Sequence, residues 1–160
     1  KNKNMEYKMN FYITGTRRGL GKALKDIYGC TDTLDQCDVF INCKHNGFEQ
    51  VNLLYQAADL KKKIINIGSN SPDETKRVRS IYAVEKSALD KANHQLFYQG
   101  VNTTLLRFGY IDTESVQDIT DNKLPLDYCC GVIDWVLQQP YRVKELTITP
   151  LRKDTNVRPE

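Results

Sequence analysis

A chain of 160 residues with 40% hydrophobic and 27% charged side chains is long enough for one domain with a real core, and its formal charge of +3 is too small to announce a nucleic-acid partner. No run is long and apolar enough for a membrane helix, and Lys1-Asn2-Lys3-Asn4 leads into a polar stretch without the apolar core of a signal peptide, so no membrane partner and a cytoplasmic place are expected. Cys30, Cys37, Cys43, Cys129 and Cys130 form no CxxC pair and match no His spacing, so free thiols and no metal site are expected.

The first element is a short apolar strand, Phe11-Tyr12-Ile13, followed by a glycine-rich turn and a helix whose Leu20, Ala23, Leu24 and Ile27 recur at helical spacing until Gly29. Val39-Phe40-Ile41-Asn42 reads as the next strand. Phe48, Val51, Tyr55 and Ala58 form a helical stripe, and Lys61-Lys62-Lys63 precede a strand through Ile64, Ile65 and Ile67. Residues 71–79 read as a polar loop, which leads into a helix bearing Tyr82 with Val84, Ala88, Ala92 and Leu96 on one face up to Gly100. A strand is expected over 101–108, then scattered apolar residues over 110–124. Pro125 opens a helix with Leu126, Cys130, Ile133 and Leu137 on one face, on which Tyr128 and Trp135 read as packing or subunit contacts. Pro140 stops that helix, and Glu145-Leu146-Thr147-Ile148-Thr149 supplies a last strand. The pattern shows one domain over 1–160, with its core over 11–150 and polar tails. Alternating strands and helices predict an α/β fold, a reduced Rossmann-like three-layer sandwich around a parallel sheet of about five strands.

Two clusters carry chemistry. In the turn Thr14-Gly15-Thr16-Arg17-Arg18-Gly19-Leu20-Gly21, the missing side chains let backbone N–H groups approach a pyrophosphate at a helix N-terminus, although three glycines alone also fit an ordinary loop. Tyr82 and Lys86 lie four apart on one helix face, where a nearby ammonium is expected to draw the phenol pKa down. Ser69 ends the Ile64 strand, at the sheet edge where open α/β folds bind ligands. Each of the three alone is more often an ordinary surface or turn residue.

In this order the motifs resemble those of the short-chain dehydrogenase/reductase family over nearly the whole chain. Thr14 to Gly21 matches TGxxxGxG, Asn42-Cys43-Lys44-His45 stands where NNAG normally does, Ile67-Gly68-Ser69 matches the serine strand, and Tyr82-Ala83-Val84-Glu85-Lys86 is YxxxK. The stretch from Phe108-Gly109-Tyr110-Ile111 to Thr113 resembles the segment after the sixth strand. The resemblance implies hydride transfer between a nicotinamide and a small carbonyl or alcohol substrate, with Tyr82 as general acid or base and Ser69 polarising the carbonyl. Lys86 would lower the Tyr82 pKa and bond the nicotinamide ribose, and Asn46 or Asn52 would complete a proton relay. Gly15, Thr16, Arg17, Arg18, Gly19, Leu20, Gly21, Asn42, Cys43, Gly109, Ile111 and Thr113 would line the cofactor, Thr113 near the carboxamide or pyrophosphate. The resemblance also implies a mobile lid over 110–124 and a homodimer or homotetramer formed through the Tyr82 helix and the helix before it.

Two departures stand out. Only residues 30–38 separate Gly29 from the Val39 strand, too few for the helix and two strands that the family carries there, since one crossover needs about a dozen residues. The acidic residue that grips the adenosine ribose is therefore missing; Asp32 and Asp35 could partly substitute but read more as solvated loop residues. With Arg17 and Arg18 in the turn, NADP(H) is expected over NAD(H), the guanidinium meeting a 2′-phosphate. Deletion of the outer strands would leave the first strand as an open edge that invites a partner, which could rebuild the cofactor wall. A protein that binds nucleotide without turnover is the alternative reading.

Overall fold

Four of the five strands are made of residues suited to burial on both faces, as a parallel sheet between two helical layers requires, while the last, Glu145-Leu146-Thr147-Ile148, has no buried position. In the computed structural model, which describes residues 9–73 and 79–152, the five are β1 (Phe11–Ile13), β2 (Val39–Asn42), β3 (Lys63–Ser69), β4 (Thr103–Phe108) and β5 (Glu145–Ile148). β2 is buried at every position and β3 at all but its first. All five pair in parallel in the order β1-β2-β3-β4-β5, with Ile41 opposite Ile65 and Asn66 opposite Leu105. The polar loop over 71–79 and both tails lie partly outside the described residues.

Helices α1 (Gly19–Tyr28) and α4 (Leu126–Gln138) cover one face, packing Leu20, Leu24, Cys129 and Ile133 on Ile13, Ile41, Ile65 and Leu106. Helices α2 (Glu49–Asp59) and α3 (Ile81–Tyr98) cover the other, with Leu54, Ala57, Leu89 and Leu96 on Phe40, Ile64 and Leu105. The strands advance across the sheet without reversing while the helices divide between its faces. The crossovers through α1 and α4 therefore have the opposite hand to those through α2 and α3, and one pair has the left hand that parallel sheets almost always avoid. For α1, the absence of two strands outside β1 means that the chain returns directly to β2, on the inner side of β1. Because β1 and β2 send their following helices to opposite faces, a crevice still opens at their C-terminal ends.

The helix faces differ in part from the sequence pattern. On α2, Gln50, Leu54 and Ala57 are buried while Phe48 and Tyr55 are exposed. On α3, Lys86, Leu89, Asn93 and Leu96 turn inward with Ala92, and Val84 is exposed. Apolar periodicity recovers part of each face, since Ala92 and Leu96 are buried and Val51 and Ala58 pack on the core, but polar side chains occupy the rest. They join a hydrogen-bonded ladder: Asn42 Nδ2 donates to Asn66 Oδ1 (3.0 Å), Asn66 Nδ2 to Asn93 Oδ1 (3.2 Å) and Thr103 Oγ1 (3.0 Å), and Asn93 Nδ2 to the Lys144 carbonyl (3.2 Å). Pairing of this kind offsets the cost of burying amides, although Asn42 Oδ1 has no partner among the described residues.

β1 lies at the sheet edge as expected, but that edge is not open. Thr31 N donates to Phe11 O at 2.7 Å, and the Cys30 thiol sits 3.3 Å from Ile13 N and 3.5 Å from Ile13 O. The turn after α1 thus folds back along the strand and takes up the backbone groups that a further strand would use.

Candidate active site

The glycine turn owes its shape to two contacts. A Cβ on Gly21 would stand 2.1 Å from Gly15 O, so α1 can start this close to β1 only with glycine there, and Gly15 adopts φ +73°. Thr14 Oγ1 accepts from Cys43 N (2.9 Å) and Lys44 N (3.0 Å), which ties the turn to the end of β2. Arg18 is the N-cap of α1 and provides no capping oxygen, and the first turn holds no acidic residue. No N-cap oxygen therefore occupies the first-turn N–H groups, although the Gly21 N–H bonds the Cys43 sulfur, and Arg17, Arg18 and Lys44 are exposed around them.

At the other end of the crevice, Ser80 caps α3 through Oγ, accepting from Ala83 N at 3.2 Å, and so fixes Tyr82 in the first turn and Lys86 one turn on. Ser69 ends β3, and its Oγ accepts from Ser71 N (3.0 Å). Ser69, Tyr82, Lys86, the glycine turn, Cys43, Gly109, Ile111 and Thr113 all line this one crevice. Thr113 Cγ2 lies 3.6 Å from where a Gly19 Cβ would be, so the segment after β4 reaches the glycine turn. The 110–124 stretch folds on itself through Leu124 N to Tyr110 O (2.7 Å) and Asp112 N to Leu124 O (2.9 Å).

Lys86 is 3% exposed. Its Nζ donates to Gln50 Oε1 (2.9 Å) and Ile67 O (3.0 Å), and burial lowers its pKa to about 8 against the pull of Cys43, Asp90 and Glu85. Nζ stands 5.7 Å from the Tyr82 ring centroid. The Tyr82 phenol is raised above its ordinary value, opposite to the direction that its spacing from Lys86 suggests. Burial dominates, a hydrogen bond with Ser69 opposes it, and Tyr110 adds to the rise. The ammonium is held back by the β3 carbonyl and by Gln50. It keeps one N–H for a ligand.

Neither expected amide reaches Lys86. Asn46 Nδ2 donates to Glu49 Oε2 (2.8 Å) at the start of α2, and Asn52 is exposed on that helix outside the crevice. Gln50 takes the place beside Lys86. It is 2% exposed, and its Nε2 also donates to Asn42 O (2.9 Å) and Ile67 O (3.1 Å). Asn42 is wholly buried beneath the site, in the ladder, rather than lining it. His45 packs edge-on to Tyr82 at 4.7 Å between centroids, with Nε2 3.1 Å from Glu85 Oε2; burial first, then Lys86, lowers its pKa. The Cys43 thiol is pushed up to about 11 by burial, so it is neutral at physiological pH. Gln50, Tyr110 and Glu85 are the site residues that the sequence did not single out for these places. Gln50 alone left a signal, as a lone polar residue one helical turn before Leu54.

No protein-family model matches the chain, and no curated protein matches it. Solved structures of similar fold include a short chain dehydrogenase from Burkholderia cenocepacia J2315 in complex with NADP, at 14% identity over 87% of each chain with TM-score 0.67. An alcohol dehydrogenase from the archaeon Thermococcus sibiricus, complexed with 5-hydroxy-NADP, matches over 94% of this chain and 98% of its own at 16% identity and TM-score 0.63. An apo SCOR enzyme from Clostridium thermocellum matches over the same shares at 17% identity and TM-score 0.65. The chain therefore has the fold of the short-chain dehydrogenases, in shortened form. Among the described residues, no helix is long and apolar enough to cross a membrane.

Proposed function

We propose that this single-domain protein is an NADP(H)-dependent oxidoreductase of the short-chain dehydrogenase/reductase type, which reduces a small carbonyl compound or oxidises the corresponding alcohol. The observation that carries this reading is that Ser69, Tyr82 and Lys86 line one crevice with the uncapped glycine turn. A nicotinamide bound there would supply the hydride donor or acceptor. Ser69 would hydrogen-bond the carbonyl oxygen, and Tyr82 would give that oxygen a proton or take one from the alcohol. The raised Tyr82 pKa keeps the phenol protonated at neutral pH, which suits the reductive direction. The spare Lys86 N–H is available for a ribose hydroxyl, and Gln50 holds the ammonium in place. Arg18, beside the turn, favours the 2′-phosphate of NADP(H) over the bare ribose of NAD(H). We place the protein in the cytoplasm as a homodimer or homotetramer, a reading supported by the exposed Phe48, Tyr55, Val84 and Tyr98 on α2 and α3.

The test is titration with NADPH and NADH by nicotinamide fluorescence, followed by a screen of aldehydes and ketones for loss of nicotinamide absorbance. Tyr82→Phe should abolish turnover and leave cofactor binding intact. Binding without turnover of any carbonyl would leave a non-catalytic nucleotide-binding protein, and failure of both cofactors to bind would end the proposal.

A further inference from the structure

Resting on the nicotinamide reading above, we propose that, apart from a 2′-phosphate within reach of Arg18, the crevice recognises only the nicotinamide ribose phosphate half of the cofactor, so that reduced nicotinamide mononucleotide binds about as well as NADH, the dinucleotide that lacks that phosphate. The two halves of a dinucleotide meet different conditions here. For the nicotinamide half the walls are present: Ser69, Tyr82 and the spare Lys86 N–H at one end, and Thr113 beside Gly19 at the other. A 5′-phosphate is met by the first-turn N–H groups that the Arg18 side chain leaves uncapped, the Gly21 N–H being taken by Cys43, and by the exposed Arg17, Arg18 and Lys44.

The adenosine half has no such frame among the described residues. The lining of the crevice ends at Gly15–Gly21 and His45, and no residue of 29–38 contributes to it. Among the described residues β1 is the last strand, and Thr31 N and the Cys30 thiol bond its outer side, so no further described strand stands beside it to form a wall. Asp32, Asp35 and Asp38, the acids of that stretch, are exposed and outside the crevice, and Asp38 Oδ2 already accepts from Asn10 N (2.8 Å). An adenine without a surface to cover it adds little to affinity, because binding energy comes from area removed from water and from paired polar groups.

The experiment titrates the full chain with reduced nicotinamide mononucleotide, NADH and reduced nicotinamide riboside, reading nicotinamide fluorescence. The mononucleotide is expected within tenfold of NADH in dissociation constant, and the riboside at least tenfold weaker than the mononucleotide because it lacks the phosphate. An Arg17→Ala/Arg18→Ala double variant should weaken mononucleotide and NADH by the same factor. NADH binding more than tenfold tighter than the mononucleotide would overturn this inference alone and leave the oxidoreductase reading in place. Absence of binding by all three would overturn both.

Discussion

Replacing Lys86 with methionine probes the electrostatics of the site without any substrate. An unfolded lysine keeps its proton up to about 10.5, whereas buried Lys86 gives it up above about 8. Between those values the unfolded chain binds the extra proton, so Lys86 makes the fold more stable as pH rises, and its burial cost is felt most below pH 8. The full interval is worth about 3 kcal/mol, of which roughly 1 kcal/mol accrues between pH 7 and 9. Lys86→Met leaves Gln50 Oε1 without its donor and Ile67 O with Gln50 Nε2 as its remaining side-chain donor, a loss of roughly 1–3 kcal/mol that has no pH slope of its own. The raised cysteines pull the other way at alkaline pH in both proteins and largely cancel in the difference. Urea unfolding followed through Trp135 fluorescence at pH 7 and pH 9 should show the stability difference between wild type and variant widening by about 1 kcal/mol in favour of wild type. Parallel pH dependences would mean that Lys86 titrates as an ordinary lysine, and would refute the reasoning.

Gly21→Ala sets a Cβ against the Gly15 carbonyl, a backbone group that cannot swing aside, and should cost about 3 kcal/mol despite the better helix propensity of alanine; a thermal midpoint close to wild type would contradict the packing of this turn. Asp90 is raised to about 6 by burial, which outweighs the attraction of Arg107, so its ionised form is a burden above that pH. Asp90→Asn should add about 1 kcal/mol at pH 7, with Arg107 still paired to Asp73 and Glu145, and the gain should vanish by about pH 4, where the wild-type carboxyl is protonated as well. Thermal unfolding at both pH values checks this, and an equal gain at each would exclude titration of Asp90 as the cause. Asn66→Leu removes the centre of the buried amide ladder and should destabilise by about 3 kcal/mol in denaturant unfolding, because Asn42 and Asn93 lose partners that water cannot replace.

The strands and the glycine turn were legible because their physics is local: a run such as Val39-Phe40-Ile41 has few alternatives to a buried strand, and glycine marks where backbones must touch. The grouping of Ser69, Tyr82 and Lys86 followed from strand ends and helical spacing. What escaped the sequence is set by distant partners. Lys86 points to the Ile67 carbonyl, 19 residues away, and to Gln50, 36 away, so the direction of the Tyr82 shift depended on contacts that i,i+4 spacing does not report. The buried face of α2 was recovered only in part because Gln50 is polar, and hydrophobic patterning assigns polar residues to water. The closure of β1 by a thiol had no counterpart in strand patterns, since Cys30 lies in the turn after α1.

The unreversed order of the strands also bears on how the chain assembles. Each new strand pairs with the one made just before it, and no strand has to slip between two already in place. The sheet can therefore grow from its N-terminal edge one βα unit at a time as the polypeptide leaves the ribosome, with short loops to close at every step. A sheet that winds outward in both directions from its first strand must hold one flank of that strand free until a much later segment arrives. Shortening has removed that wait, and with it the interval during which a half-built flank is exposed to other nascent chains.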